Sequence, residues 1–243
     1  MSETTTIQIQ EVTKSFGKKV VLKDINFDIK EGRIYGFIGP SGAGKTTLVK
    51  MMVGMDIPDK GSIYLLNEKM PNLNVLQKIG YMAQSDALYT TLTGKENLMF
   101  FASLFKLNNK EKQERIAYTA NLVNLTEDLN KKVSAYSGGM KRRLSLAIAL
   151  IQNPQVLILD EPTVGIDPEL RLSIWNELLR LKNEEGKTII ITTHVMDEAE
   201  KCDYIAMVRD GSFIATGTPH QLKEQFEANS LDEVFLYAGR KVQ

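Results

Sequence analysis

The sequence predicts an α/β fold with a mostly helical insertion at about residues 86–153. The first observation is a strand-like run, residues 33–38, followed by a glycine-rich loop and a helical segment that Gly54 ends. The second is a short and wholly apolar run, residues 156–159, of the kind found in central parallel strands. Alternation of strands and helices around an insertion is typical of an α/β core.

The N-terminal third is predicted to be rich in strands. β-branched residues alternate with polar ones in residues 7–14, 19–22 and 25–29, and Gly17 and Gly32 interrupt the pattern. The sequence therefore predicts several strands ahead of the glycine-rich loop.

The insertion is predicted to be helical. Thr93 and Glu96 have the spacing of a capping box, and residues 98–107 and 111–125 are predicted helices. A third helix is predicted after Ser137, because apolar residues recur there at helical spacing: Leu144, Ala147, Ile148 and Ile151.

The α/β pattern returns after residue 153. Asp167 followed by Pro168 predicts a capped helix start, and Gly186 predicts its end. That helix carries one apolar face, made of Leu170, Ile174, Leu178 and Leu181. Residues 188–192 are a predicted buried strand, and a tail helix capped by Ser230 and Glu233 is predicted near the end.

Composition excludes several classes of protein. The 243 residues include 30 Lys and Arg and 30 Asp and Glu, so the zero net charge gives no reason to expect a nucleic-acid partner. Cys202 is the single cysteine, which excludes an intrachain disulfide and fits a reducing, cytosolic setting. The N-terminal residues lack the pattern of a signal peptide, and no apolar run approaches the roughly 20 residues that span a bilayer.

The glycine-rich loop has a phosphate-binding pattern. Residues 39–46 match G-x-x-x-x-G-K-[ST]: Gly39, Pro40, Ser41, Gly42, Ala43, Gly44, Lys45 and Thr46. Backbone N–H groups of such a loop, with the N-terminus of the following helix, form a nest for phosphate oxygens. Lys45 is expected to reach the β- and γ-phosphates, and the Thr46 hydroxyl to bind Mg²⁺. The strand before the loop and the helix after it favour this over a plain turn.

Two adjacent carboxylates follow the apolar strand. Asp160 is expected to hold Mg²⁺ near the phosphates, directly or through water. Glu161 is expected to aim differently and to position or deprotonate an attacking water. A polar loop after a strand is the alternative, and the phosphate-binding loop argues against it.

Ser137, Gly138 and Gly139 open the predicted third helix. Ser137 can cap the helix, and two glycines allow a ligand to approach the backbone closely. Since helix N-termini bind anions, this segment is a second candidate phosphate contact, although Ser-Gly-Gly alone is more often a turn.

The order of these motifs resembles the ATP-binding subunit of an ABC transporter, over residues 7–237. The matching motifs are an aromatic residue (Phe16), Walker A (residues 39–46), a Q-loop (Gln84), the signature (Ser137 to Gly139), Walker B (Asp160, Glu161), a D-loop (residues 164–167) and a switch histidine (His194). The resemblance implies a P-loop NTPase core of ABC type with an N-terminal antiparallel β subdomain and a helical signature subdomain. Residues 1–243 would form one domain, with the core in residues 1–85 and 154–243 and the helical part in residues 86–153.

The resemblance also implies roles in binding and hydrolysing ATP with Mg²⁺. Phe16 would stack on adenine, with core packing as the alternative, and Thr47 would join the phosphate contacts. Gln84 would contact Mg²⁺ or the attacking water, and His194 would hydrogen-bond the γ-phosphate. His220, after Pro219, is expected to be a surface residue.

A second ATPase subunit is implied as partner, because the signature of one subunit covers the ATP of the other in this family. Asp167 would lie at that seam. The segment from Tyr136 to Leu144 resembles the drug- and antibiotic-exporter branch, in which a separate membrane permease docks beside the Q-loop. That implies a location at the cytoplasmic face of the membrane. We expect five apolar residues near the docking groove, with ordinary core packing as the alternative: Leu88, Tyr89, Leu92, Phe100 and Phe101.

The sequence departs from the family pattern at two motifs. The signature has Tyr136 and Met140 where Leu and Gln are commoner, and the D-loop begins with Val164 and Gly165. Catalysis is expected to survive the departure in the signature, because Ser137 and the glycines carry the phosphate contacts, but any contact that the family's final Gln makes is not carried over to Met140. The run Lys141-Arg142-Arg143 opposes the helix dipole and is expected to be a solvated face. The competing functions are a soluble ABC-type ATPase that acts on a cytosolic assembly and a regulator that binds ATP without turnover.

Overall fold

The computed structural model describes residues 4–85 and 87–241. Residue 86, where the helical insertion is predicted to begin, lies outside the described residues, as do residues 1–3 and 242–243. The strands, in chain order, are β1 (Thr5–Phe16), β2 (Lys19–Lys30), β3 (Ile34–Ile38), β4 (Lys60–Leu65), β5 (Glu68–Lys69), β6 (Ile79–Met82), β7 (Val156–Asp160), β8 (Thr188–Thr193), β9 (Tyr204–Arg209) and β10 (Ser212–Gly217).

The α-helices, in chain order, are α1 (Lys45–Met52), α2 (Leu73–Leu76), α3 (Gly94–Ala102), α4 (Asn109–Leu122), α5 (Gly138–Leu150), α6 (Pro168–Glu185), α7 (Met196–Ala199), α8 (Pro219–Gln225) and α9 (Leu231–Lys241). Short 3-10 turns lie at Thr126–Asp128 and Val133–Ala135. Among the described helices, none combines the length and the apolar composition needed to cross a bilayer.

The chain forms two compact units, residues 1–75 with 188–243, and residues 76–187. In the first unit an antiparallel sheet has the strand order β2-β1-β4-β5. Ile7, Ile9 and Val12 of β1 are buried, so one face of this sheet belongs to the core.

A second group of strands in the first unit carries the glycine-rich loop. β3 lies between β8 and β9 and is parallel to both, and β10 pairs antiparallel with β9. Every residue of β3 and β8 is buried, as expected for strands covered on both faces. The loop leaves the carboxyl end of β3 and leads into α1, at the sheet edge where α/β folds bind ligands.

The second unit combines two parallel strands with helices. β6 pairs with β7, and α5 packs on both strands and on α3 and α4. The Tyr118 hydroxyl of α4 donates a short hydrogen bond to the Glu177 carboxylate of α6, and Arg180 also binds Glu177. These hydrogen bonds join the long helix α6 to α4.

Caps decide where the predicted helices begin. The capping box of Thr93 and Glu96 is confirmed, but it starts α3 at Gly94, and α3 ends at Ala102. The prediction of a helix over residues 98–107 was therefore wrong at both ends. Asn108 and Glu111 form a second capping box, which starts α4 before residue 111. Asn124, in a left-handed conformation, ends α4 before residue 125. The predicted start of α5 and the predicted start and end of α6 are confirmed to within a residue or two.

The sequence prediction differs from the structure in two strand regions and one helix. Residues 19–22 and 25–29, predicted separately, are one strand in which Asp24 takes a left-handed conformation beside a shift in pairing register. The hairpin of β9 and β10 was missed, although its two-residue turn, Asp210-Gly211, is a strong hairpin signal. The α8 helix was missed despite the capping box of Thr218 and Gln221.

Candidate functional site

The glycine-rich loop has a backbone that glycine alone allows. Gly42 and Gly44 have φ values of 81° and 109°, in the region where a side chain is strained. A Cβ at Gly39 would lie 2.1 Å from the Val208 carbonyl oxygen. Because the N-cap Gly44 has no side chain, α1 begins with backbone N–H groups of the kind that bind anions.

Lys45 lies over the loop that precedes it. Its side-chain Nζ donates hydrogen bonds to the carbonyl oxygens of Gly39, at 2.7 Å, and Pro40, at 3.0 Å. Lys45 is 5% exposed, whereas Thr46 and Thr47, the next residues of α1, are half-buried. Pro40 and Ser41 are exposed and Ala43 is buried, so the loop has one face toward solvent.

Phe16 ends β1 with an exposed ring. Its side chain is 53% exposed, so the core-packing alternative is not supported. The ammonium group of Lys14 lies 5.2 Å from the ring centroid, a cation–π distance. Lys14 in turn donates to Asp56 and to the Ile57 carbonyl oxygen, each at 2.7 Å, which holds the cation beside the ring.

His194 follows the last residue of β8 and is exposed. The turn around it is fixed by Thr193, whose hydroxyl donates to the Glu198 carboxylate at 2.7 Å and accepts from the Val195 N–H at 3.0 Å. Glu198 is 2% exposed, so this anchor is internal. His220 is confirmed as a surface residue, since it is largely exposed and its Nδ1 lies 3.3 Å from the Glu224 carboxylate.

Asp160 and Glu161 differ in burial and in backbone conformation. Asp160 is the last residue of β7 and is fully buried. Glu161 follows it with φ of 52°, an uncommon conformation for a residue with a side chain. The Gln84 side-chain nitrogen lies 3.5 Å from the Glu161 carboxylate oxygen. Two predicted catalytic side chains therefore meet within the second unit, and Glu161 departs from the strand alternation on which its direction was predicted.

The strand before Gln84 supplies a neutral phenol near this carboxylate pair. Burial, together with the negative charge of Asp160, raises the pKa of Tyr81 to about 12, although Arg142 opposes the shift. Tyr81 therefore stays protonated at physiological pH.

The signature segment caps α5 as predicted. Ser137 Oγ accepts a hydrogen bond from the Met140 N–H at 3.2 Å. Ser137 and Gly138 are exposed, and apart from its chain neighbours and its own helix backbone no described atom lies within 4 Å of a Cβ built at Gly138. A Cβ at Gly139 would lie 3.1 Å from the Gly165 carbonyl oxygen, so the D-loop passes close to this helix start.

Tyr136, one of the departures from the family pattern, is internal. It is 5% exposed, and its hydroxyl donates to the Asp128 carbonyl oxygen at 2.8 Å. Gly94 lies against this hydroxyl, where a Cβ would come within 2.3 Å. Tyrosine at this position thus supports the base of the helical region.

Asp167 caps α6, as the sequence predicts. Its Oδ1 accepts a hydrogen bond from the Leu170 N–H at 2.9 Å, and Pro168 occupies the first turn. The buried face of α6 contains the predicted Leu170, Ile174, Leu178 and Leu181.

Arg142 contradicts the expectation of a solvated face. It is 7% exposed, and its guanidinium donates to four backbone carbonyl oxygens, in residues 83, 84, 160 and 161. Arg142 and Leu146 lie one turn apart on a buried side of α5. The prediction of a solvated face was wrong because it rested on the charge of Arg142 alone, and the strand ends that pack beside α5 were not evident from the sequence. Arg143 is half-buried and donates to the Asn124 carbonyl oxygen at 3.0 Å.

An aromatic cluster lies on the surface after the Q-loop. Tyr89 and Phe100 are 46% and 40% exposed, with ring centroids 4.8 Å apart, and Phe101 lies 5.3 Å from Phe100. Ordinary core packing therefore does not describe Phe100. Sequence reasoning missed Asn97, which is fully buried and exchanges two hydrogen bonds with the Tyr89 backbone, at 2.9 and 3.0 Å.

Each unit carries its own set of predicted site residues. The first holds Phe16, Gly39, Pro40, Ser41, Gly42, Ala43, Gly44, Lys45, Thr46, Thr47 and His194, and the second holds Gln84, Ser137, Gly138, Gly139, Asp160, Glu161 and Asp167.

Comparison with known proteins gives consistent matches. A family model described as ABC transporter matches residues 22–164. The chain is 42% identical over 221 residues to Nod factor export ATP-binding protein I of Burkholderia orbicola, covering 90% of this chain and 72% of that protein. It is 39% identical over 249 aligned positions to a linearmycin resistance ATP-binding protein of Bacillus subtilis, covering 97% and 79%.

Solved structures agree. The structure of an ATP-binding subunit of an ABC transporter matches with a TM-score of 0.89 at 26% identity, covering 96% of this chain and 99% of the other. A dimeric bacterial ABC transporter cassette matches at 0.82 and 29% identity, covering 87% and 98%. A dimeric post-hydrolysis state of such a cassette, bound to ADP and Pi, gives the same TM-score, identity and coverage.

Proposed function

The chain belongs to the ABC transporter family as an ATP-hydrolysing subunit, and we propose that it drives a bacterial exporter of a drug, antibiotic or lipid-like substrate. The observation that carries this proposal is a full set of hydrolysis motifs in a chain that aligns over 97% of its length with a linearmycin resistance protein. The similarity to Nod factor export proteins supports the direction of transport.

We assign ATP binding to Phe16 and to the loop with its helix start. The glycine-dependent backbone from Gly39 to Gly44 and the position of Lys45 over the loop support a phosphate contact. The exposed ring of Phe16, already beside a cation, supports stacking on a flat aromatic base.

We assign hydrolysis to Glu161, with Gln84 and His194 as partners in holding the attacking water and the γ-phosphate. The 3.5 Å approach of Gln84 to Glu161 supports joint action on one water molecule. Thr46, Gln84 and Asp160 offer hydroxyl, amide and carboxylate oxygens, a donor set that fits Mg²⁺. When bound, Mg²⁺ would neutralise charge on the β- and γ-phosphates.

We propose that two subunits close on two ATP molecules, with Ser137, Gly138 and Gly139 of one contacting the nucleotide of the other. The exposed and uncrowded helix start at Gly138 supports this contact. Asp167, the last residue of the D-loop, is assigned to the seam between subunits.

The dimer is tested with Glu161→Gln. We expect ATP turnover to fall by about a hundredfold or more, since removal of a general base costs 10²–10⁴-fold. ATP binding should persist, and size-exclusion chromatography should show an ATP-dependent dimer. Glu169→Gln, an exposed carboxylate in the first turn of α6, is the matched control. Normal turnover by Glu161→Gln would remove the role given to Glu161.

We propose that a membrane permease docks on the aromatic cluster of Tyr89, Phe100 and Phe101, near Leu88 and Leu92, which would hold the chain at the cytoplasmic face of the membrane. Exposed aromatic rings on a structured surface are typical of protein-binding sites.

The permease is tested by affinity capture of the tagged chain from detergent-solubilised native membranes. We expect a polytopic membrane protein at near-stoichiometric yield, lost in Phe100→Asp and kept in Leu172→Asp, which changes an exposed apolar residue of α6. Recovery of soluble partners alone, with no chain in the membrane fraction, would favour a cytosolic ABC-type ATPase.

A further inference from the structure

We propose that Arg142 is a positioning residue for ATP hydrolysis, which holds Gln84 and Glu161 in the geometry their reaction needs. The inference rests on the catalytic roles proposed above for those two residues. It concerns a side chain on the signature helix α5 that belongs to none of the phosphate-contact motifs.

One planar group joins two separate segments. The Arg142 Nη1 donates to the carbonyl oxygens of Ala83, at 2.7 Å, and Gln84, at 2.9 Å. Its Nη2 donates to the carbonyl oxygens of Asp160, through a short contact, and Glu161, at 2.6 Å. Guanidinium presents its N–H donors in a fixed plane, so the four carbonyl groups are held in one arrangement.

These carbonyl groups flank the two catalytic residues. The peptide planes that carry the Asp160 and Glu161 oxygens lie on either side of the Glu161 Cα, and the planes of Ala83 and Gln84 lie on either side of the Gln84 Cα. Fixing both planes around a Cα fixes its φ and ψ. Arg142 therefore determines the direction in which each of the two side chains leaves the backbone.

Glu161 needs such support because its φ of 52° is disfavoured for a residue with a Cβ. Residues in sparsely populated conformations persist where their surroundings hold them, and such residues cluster at functional sites. Gln84 Nε2 and Glu161 Oε2 lie 3.5 Å apart, so a small rotation at either backbone would separate the side chains.

The burial of Arg142 fits a fixed rather than a mobile role. A charged group at 7% exposure requires hydrogen bonds that offset its lost hydration, and the carbonyl oxygens supply them. Arg142 lies one helical turn after Gly138, so the first turns of α5 contain both the signature residues and the arginine that binds the four carbonyl oxygens.

The test compares Arg142→Gln and Arg142→Lys with Arg143→Gln in the purified chain. Arg143 is the matched control, because it is the next residue of α5 and binds the Asn124 carbonyl oxygen at the end of α4. We expect Arg142→Gln to lower kcat at least tenfold while KM for ATP changes less than threefold. Arg142→Lys should also lower kcat, because a single ammonium cannot reproduce the planar set of donors. Arg143→Gln should match the wild type in both constants.

A second readout separates positioning from general stability. In the Glu161→Gln background, Arg142→Gln should lower the residual turnover less than twofold, since the residue through which it acts is already disabled. Three outcomes would overturn the proposal. The first is a full tenfold loss of residual turnover in the Glu161→Gln background, and the second is an equal loss of kcat in Arg143→Gln. The third is a wild-type kcat in both Arg142→Gln and Arg142→Lys. If Arg142→Gln does not fold, Arg142→Lys, which keeps the charge, decides by the same comparison. Normal turnover by Glu161→Gln alone would instead reject the proposed catalytic role of Glu161.

Discussion

The Lys45 ammonium group donates a hydrogen bond of 2.7 Å to the carbonyl oxygen of Gly39, the residue that opens the glycine-rich loop. A second bond, to the Pro40 carbonyl oxygen, holds the same group at 3.0 Å. These two hydrogen bonds hold the lysine side chain over the loop. A side chain that is held in place loses less conformational entropy when it makes a charged interaction.

Replacing this lysine is expected to weaken ATP binding. Lys45→Ala should raise the Kd for ATP about tenfold to a hundredfold, since hydrogen bonds to charged groups contribute about 1.5–3 kcal/mol. Isothermal titration calorimetry measures the change. Lys50→Ala, an exposed lysine of the same helix, should keep wild-type affinity. Equal affinity in Lys45→Ala and the wild type would contradict the assignment.

Two glycines should differ in their tolerance of a methyl group. Gly39→Ala should lower the free energy of unfolding by about 1–3 kcal/mol, because its Cβ would meet a backbone oxygen that cannot move aside. Gly138→Ala should fold as well as the wild type, since no described atom beyond its chain neighbours and its own helix backbone lies within 4 Å of that Cβ, and alanine favours helices. Urea denaturation compares the two. An equal loss in both variants would show that the clash at Gly39 does not govern stability.

Tyr118 and Tyr81 should differ in how much stability is lost when the hydroxyl group is removed. Tyr118→Phe should cost roughly 1–3 kcal/mol of unfolding free energy, because it removes hydrogen bonds to charged Glu177 and Arg180. Tyr81→Phe should be neutral or stabilising, since the buried Tyr81 hydroxyl has no hydrogen-bond partner among the described residues. Thermal melting of both variants measures the two losses of stability. A larger loss in Tyr81→Phe than in Tyr118→Phe would contradict the prediction that only the Tyr118 hydroxyl stabilises the fold.

The Glu177 network should make stability depend on acid. Burial by itself would raise the pKa of Glu177, but hydrogen bonds from Arg180 and Tyr118 lower it below its ordinary value. A depressed pKa in the folded state means stability that is present above the unfolded pKa of about 4.3 and is lost as the pH falls through the folded value. Urea denaturation at several pH values between about pH 6 and pH 3 gives the free energy of unfolding as a function of pH. This free energy should fall less steeply with falling pH in Glu177→Gln than in the wild type. Identical slopes would exclude this network as a source of acid sensitivity.

Cys202 should be unreactive in the folded chain. It is 4% exposed, and burial raises the pKa of its thiol well above the ordinary range. A thiol-specific chromogenic reagent at mildly alkaline pH should react only as fast as the protein opens. Since Cys202 is the single cysteine, the reaction in denaturant should reach one thiol per chain. Rapid labelling of the native protein would show that this part of the first unit opens locally.

Much of the candidate site could be predicted from sequence because its signals are local. Each of these signals depends on residues within a few positions of one another: the glycine-rich loop, the caps at Ser137 and Asp167, and the two carboxylates at the end of β7. The helix starts at Gly94 and Asn109 were missed by a few residues, although the capping boxes that fix them were present in the sequence.

The sequence by itself determined the phosphate-loop motif, the order of the motifs and the capped helices, because backbone conformation and capping hydrogen bonds depend on near neighbours. Only the tertiary structure decided that Arg142 is buried rather than solvated, that Tyr136 hydrogen-bonds Asp128, and that Tyr89 and Phe100 stand exposed together. The partners of Arg142 lie 18 to 59 residues away in the chain. Whether such a side chain faces water or carbonyl groups depends on which strand ends pack beside its helix, and periodicity along one segment carries no information about that.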